Sequence, residues 1–109
     1  MYKDAGATIP ESLILAQNLQ KARAYSSSRG LYKKFFDNNP EDHLRFKALF
    51  EVADNWFHEK KYVNGEAEFT EFIKYCDSQQ SLTEEEKGWV KYYRQLALSR
   101  IKEIKSRTR

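Results

Sequence analysis

Thr83-Glu84-Glu85-Glu86-Lys87-Gly88-Trp89-Val90-Lys91-Tyr92-Tyr93-Arg94-Gln95-Leu96-Ala97-Leu98-Ser99-Arg100-Ile101-Lys102-Glu103-Ile104-Lys105 is the stretch whose reading decides the fold. Thr83 precedes Glu86 by three residues, the spacing of a capping box, and Glu84 and Glu85 place negative charge where the helix dipole is positive. Trp89, Val90, Tyr93, Leu96, Ala97, Ile101 and Ile104 then recur at helical spacing. The stretch predicts one continuous helix from 84 to about 105, with a sheltered apolar stripe. Beside that stripe Lys87, Lys91, Arg94, Lys102 and Lys105 fall in a sector about 80° wide at 100° per residue. Packing the stripe leaves these cations in water.

The same period runs upstream. Phe46, Leu49, Phe50, Ala53, Trp56, Phe57 and Lys60 trace one face of a helix from about 40 to 61. Asn39-Pro40 supplies its expected start, with Asn39 as N-cap and Pro40 at the first helical position. Phe69, Phe72, Ile73 and Cys76 mark a shorter helix over 66–77, with Tyr62-Val63-Asn64-Gly65 read as the loop before it. Near the N-terminus, Ile9, Leu13, Ala16, Leu19 and Ala22 define a helix over 9–25, widened by Leu15 and capped through Thr8 and Glu11. Ser26-Ser27-Ser28-Arg29-Gly30 reads as a turn, and 31–36 as a short helix. No strand-like alternation occurs. The expected architecture is all-α, a small bundle of four to five helices ending in a long basic C-terminal helix. It comprises a flexible lead over 1–8, a single helical domain over 9–106 and a basic tail over 107–109.

Length and composition agree with one small domain: 109 residues and a mean hydropathy of −0.84. So polar a chain holds no run of about 18 apolar residues, so no membrane-spanning helix is expected, and Met1 to Gly6 lacks the apolar core of a secretory leader. Leu, Ile, Val and Phe total only 24 residues, so the core must rest on a few large rings. A second copy or a partner would supply apolar contact that one chain lacks. With one cysteine, Cys76, no intrachain disulfide can form, and a reducing, cytoplasmic setting is expected.

The net charge of +3 conceals segregation: residues 1–36 carry +4, 37–86 carry −8 and 87–109 carry +7. The basic row on the last helix is the first candidate surface. Arg29, Lys33 and Lys34, near Tyr32 and Phe35, would extend it, and Tyr25 and Tyr92 could stack on bases. Arg100 differs from the row. It lies within the apolar stripe, where a guanidinium must be paired, stacked on a ring or placed at an interface. Its expected partner is a carboxylate of the acidic middle segment. That segment offers a second surface, an acidic docking face of Glu51, Asp54, Glu59, Glu68 and Glu71, with Glu66 beside it.

Glu51, Asp54 and His58 have a spacing that could present metal ligands, but the paired Glu-x-x-His motifs of di-iron bundles are missing, and a hydrated acidic face is the better reading. His43, after Asp42, reads as a surface or cap residue. Cys76, on an apolar face, reads as a buried small hydrophobe. No nucleophile, phosphate-loop or zinc motif occurs. The expected function is therefore non-enzymatic binding, as a subunit or adaptor using the basic face of Lys87, Lys91, Arg94, Arg100, Lys102 and Lys105. No cofactor, metal or small-molecule substrate is expected; the partner is a protein or a second copy. Two alternatives stand beside it. One is a nucleic-acid-associated accessory protein that holds backbone without reading bases. The other is an inhibitor or immunity-type protein docking through the acidic middle.

Overall fold

Short polar connections turn each amphipathic segment back on the one before it, so the chain builds a layered stack of helices. The computed structural model describes residues 9–108. They form α1 (Glu11–Lys21), α2 (Tyr25–Asn38), α3 (Arg45–His58), α4 (Tyr62–Ser78) and α5 (Glu84–Arg107). The lead over 1–8, the Thr8 cap and Arg109 lie outside the described residues.

α3 is the central element, because its apolar residues occupy two sides rather than one. Phe46, Phe50 and Ala53 join Phe69, Phe72 and Cys76 of α4 and Tyr93, Ala97 and Ile104 of α5 in one core. Ala48 and Val52, with Leu44 just before the helix, join Leu13 and Ala16 of α1 and Tyr32 and Phe35 of α2 in a second. Trp89 packs against both. The rings around Phe50 meet it at angles rather than face to face: Phe69 lies 5.5 Å away, Phe72 5.8 Å and Tyr93 5.2 Å.

α5 forms as expected. The Thr83 hydroxyl accepts from the Glu86 N–H (3.1 Å) and the Glu86 carboxylate accepts from the Thr83 N–H (3.0 Å). Its stripe is buried or half-buried throughout, and the helix continues through Arg107, two residues beyond the expected end. Other boundaries differ. The 26–30 serine segment is the start of α2, not a turn. There the Ser28 hydroxyl donates to the Ala16 carbonyl (2.7 Å) and accepts from Asn55 Nδ2 (3.2 Å), so its polarity is used between helices. α1 stops at Lys21, and Ile9, Leu15 and Ala22 are exposed. Asn39 does not cap α3. It closes α2 by donating to the Phe35 carbonyl (2.9 Å), and α3 begins only at Arg45, after Asp42 accepts from the Leu44 N–H (2.8 Å). Tyr62–Gly65 is the first turn of α4, not a loop. A Cβ on Gly65 would lie 3.5 Å from both Ile104 Cδ1 and the Phe57 backbone nitrogen, ordinary contact that leaves no room for a larger side chain where three helices converge.

Three ion pairs fix the relative directions of the helices. Arg29 Nη1 donates to Glu59 (2.7 Å), joining the start of α2 to the end of α3. Arg45 Nη1 donates to Glu86 (2.9 Å) and its Nε to the Tyr75 hydroxyl (3.0 Å), joining the start of α3 to the start of α5 and the end of α4. Arg100 joins the end of α5 to α3 through Asp54. One end of the stack therefore gathers the α1–α2 turn, the α3–α4 turn and the C-terminal end of α5. The other gathers the α2–α3 and α4–α5 connections.

Candidate functional site

The expected basic row on α5 is interrupted by acids from α5 itself and from α4. Lys87 reaches Glu84 (3.0 Å). Arg94 forks onto Asp77, Nε to Oδ1 at 2.8 Å and Nη2 to Oδ2 at 3.1 Å. That hydrogen bonding holds the exposed Asp77 carboxyl below its ordinary range. Lys105 stands 4.0 Å from Glu66. Lys91 and Lys102 face solvent outside any ion pair. The proposed extension does not form a patch either: Arg29 turns to Glu59, Lys33 pairs with Asp37 (2.9 Å), and Tyr32 and Phe35 are buried. Tyr25 is half-buried, whereas Tyr92 is 62% exposed.

Arg100 takes the carboxylate partner expected of it. Its Nε donates to Asp54 Oδ1 at 2.7 Å and its Nη2 to Oδ2 at 3.4 Å, and its guanidinium lies 4.7 Å from the centre of the Phe57 ring. His58 Nε2 approaches Asp54 Oδ2 at 3.1 Å from the other side. Burial pushes the Asp54 carboxyl upward, but the hydrogen bonds from His58 and Arg100 outweigh it and hold the group below the usual carboxylate range. The hydrogen bond to Asp54 raises His58 against the opposing effect of burial. Arg100 thus turns onto α3, half-buried, rather than standing free on the basic row.

The acidic residues expected to form a docking face are also divided. Glu51 accepts from Gln20 (3.2 Å) and Lys47 (3.1 Å), Asp54 is buried, and Glu59 holds Arg29. Only Glu68, half-buried, and Glu71, exposed beside Lys74 (3.4 Å), remain on α4. Among the described residues, no group of three or more His, Cys, Asp or Glu side chains is placed to hold a metal ion. Cys76 is buried as expected, and burial pushes its thiol up to about 12. His43 is half-buried near the start of α3, with its ring 5.6 Å from that of Trp89.

The fold collects cations by end rather than by helix. Of the described cations outside any ion pair, Lys21, Arg23, Lys60, Lys61 and Lys102 stand at the end that gathers the α1–α2 and α3–α4 turns; only Lys34 and Lys91 stand elsewhere. All five are exposed. Arg23 and Lys60 occupy matching positions. α1 ends with the Arg23 N–H on the Gln20 carbonyl (3.0 Å) and the Ala24 N–H on Leu19 (2.8 Å). α3 ends with the Lys60 N–H on Phe57 (3.0 Å) and the Lys61 N–H on Trp56 (2.9 Å). Both are Schellman closures, and their left-handed residue is most often glycine. Here it is Arg23 (φ 65°) and Lys60 (φ 66°). That backbone costs an L residue about 1–2 kcal/mol. The nearby helix C-terminus returns part of it, because it favours positive charge.

Sequence reasoning missed Lys21, Arg23, Lys60 and Lys61 because it grouped charges along helices. Grouping them by alternate turns of an antiparallel stack would have found them. Compared with protein-family models, curated proteins and solved structures, the chain shows no significant match to any of them.

Proposed function

We propose that the chain is a non-enzymatic binding protein, a subunit or adaptor that docks the basic end of its helical stack on an acidic surface of a protein partner. The observation that supports this reading is the grouping of Lys21, Arg23, Lys60, Lys61 and Lys102, exposed and outside ion pairs, at one end, with two of them on left-handed backbone. Cations spread over separate turns suit a curved acidic protein surface. A phosphate backbone favours a continuous row, and acids cut the row on α5. No helix among the described residues is long and apolar enough to cross a membrane. A cytoplasmic setting is part of the proposal, in keeping with Cys76 being a free thiol.

Fluorescence polarisation with a labelled glutamate-rich peptide, and with single- and double-stranded DNA and RNA, at two salt concentrations, tests the reading. Peptide binding should fall several-fold in Lys60→Glu/Lys61→Glu and be little changed in Lys91→Glu. Tighter binding to nucleic acid than to the peptide, with a steep salt dependence, would replace it with the nucleic-acid alternative. Arg23→Gly and Lys60→Gly give a finer check: each should weaken peptide binding while leaving thermal stability equal or higher, since glycine relieves the left-handed backbone.

A further inference from the structure

Glu85, Gly88, Trp89, Tyr92 and Tyr93 line a groove of about 430 Å³ on the N-terminal half of α5, away from the basic end. That volume lies in the lower part of the range of small-ligand sites, roughly 300–1,000 Å³. The aromatic walls are held in place. Trp89 stacks parallel to Tyr93, with ring centres 5.8 Å apart and planes 9° apart, and Tyr92 meets Tyr93 edge-on at 4.9 Å and 84°. Tyr92 is largely exposed, and the exposed Glu85 carboxylate has no ion pair or hydrogen bond.

Gly88 forms the floor. It stands one helical turn from both Glu85 and Tyr92, which are i−3 and i+4 to it. A Cβ at Gly88 would meet no atom within 4 Å, and its backbone is helical. Neither packing nor conformation therefore requires glycine here, although glycine weakens a helix interior. Its effect is to keep the space between the carboxylate and the tyrosine open. Gly30 in α2 has the same steric freedom. The groove is distinguished by glycine together with aromatic walls and an unpaired carboxylate.

We propose that this groove binds a cationic side chain, a lysine or arginine presented by a basic segment of a protein partner. A ring face and a carboxylate attract such a group together. Among the described residues the fold itself uses the combination four times, once through Lys33, which lies 5.9 Å over Phe36 and pairs with Asp37, and three times through arginine. Arg29 lies 3.5 Å over Trp56 and pairs with Glu59, Arg45 lies 4.3 Å over Phe46 and pairs with Glu86, and Arg100 lies over Phe57 and pairs with Asp54. The groove offers the same two groups, the Tyr92 ring and the Glu85 carboxylate, to solvent. With the basic end it would make the chain a two-ended connector, but it rests on separate residues.

The test titrates the full chain with a fluorescein-labelled arginine–serine dodecapeptide, following polarisation together with the NMR signals of the Trp89 indole and the Tyr92 ring. The wild type should bind, with both signals shifting. Gly88→Leu, which fills the floor with a good helix former, and Tyr92→Ala should each weaken binding about fivefold or more without lowering the thermal midpoint. Glu85→Gln should weaken it and flatten its salt dependence, whereas Lys60→Glu/Lys61→Glu should not weaken it, separating this site from the basic end. Binding unchanged in Gly88→Leu, or weakened equally by Glu68→Gln on α4, would overturn the site. Light scattering that shows concentration-dependent assembly of the wild type, dissolved by Gly88→Leu, would overturn the partner assignment in favour of a second copy.

Discussion

Asp54 sits almost wholly inside the bundle, yet hydrogen bonds with Arg100 and His58 hold its carboxyl below the ordinary range. A buried carboxylate left without its guanidinium keeps its desolvation cost and loses its compensation. Arg100→Ala is therefore expected to lower stability by about 3 kcal/mol in urea denaturation. The pH dependence has two limbs. The depressed Asp54 pKa contributes stability that is present above the ordinary carboxylate value of about 3.9 and lost as pH falls through the native value. The raised His58 pKa contributes stability that is full below about 6.5 and lost as pH rises through its native value. An NMR titration should place the His58 midpoint above that of a free imidazole, and Asp54→Asn should bring it down. A midpoint unmoved by Asp54→Asn would show that the contact carries no coupling.

At the scale of the element, tertiary contacts moved the helix boundaries and left the helix periods alone. The α3 face from Phe46 to Phe57 and the α5 stripe from Trp89 to Ile104 are legible because spacing alone places them. The starts of α2, α3 and α4 are not. Ser28 is helical because Ala16 and Asn55 use its hydroxyl, and neither contact is visible from the residues around it. Asn64-Gly65 resembles a turn, yet the reversal falls earlier, at Lys60, and Gly65 is buried in α4 against Ile104 and Phe57. Overpacking that contact tests the assignment. Gly65→Leu should cost about 1–3 kcal/mol, against a small gain for Gly88→Ala, where a Cβ is unobstructed. Equal effects of the two substitutions in thermal denaturation would contradict the packing difference.

For the whole molecule, α3 joins two cores that would otherwise belong to separate helix pairs. Opening either core exposes α3, so its central amides, around Phe50 to Ala53, should exchange with solvent only through global unfolding. Amides of α1, at the edge of the stack with Ile14 and Leu15 exposed, should exchange through smaller openings. Native-state hydrogen exchange in dilute denaturant would show this order, and protection in α1 equal to that in α3 would refute it. The segregated charge of the sequence becomes, in three dimensions, a set of internal ties at Arg29, Arg45 and Arg100 together with one exposed basic end. Part of the acidic middle is consumed in making those ties, which is why Glu51, Asp54 and Glu59 do not form a free face.

By itself the sequence determined the all-helical class, the Thr83–Glu86 cap, the long last helix and the need of Arg100 for a partner. Each follows from interactions within one helix or from the cost of burying a charge. Tertiary structure alone decided which carboxylates neutralise which cations, where the serine and Asn-Gly segments belong, and which charges remain exposed together. Those outcomes depend on distances between residues far apart in the chain, which packing sets and local periodicity does not encode.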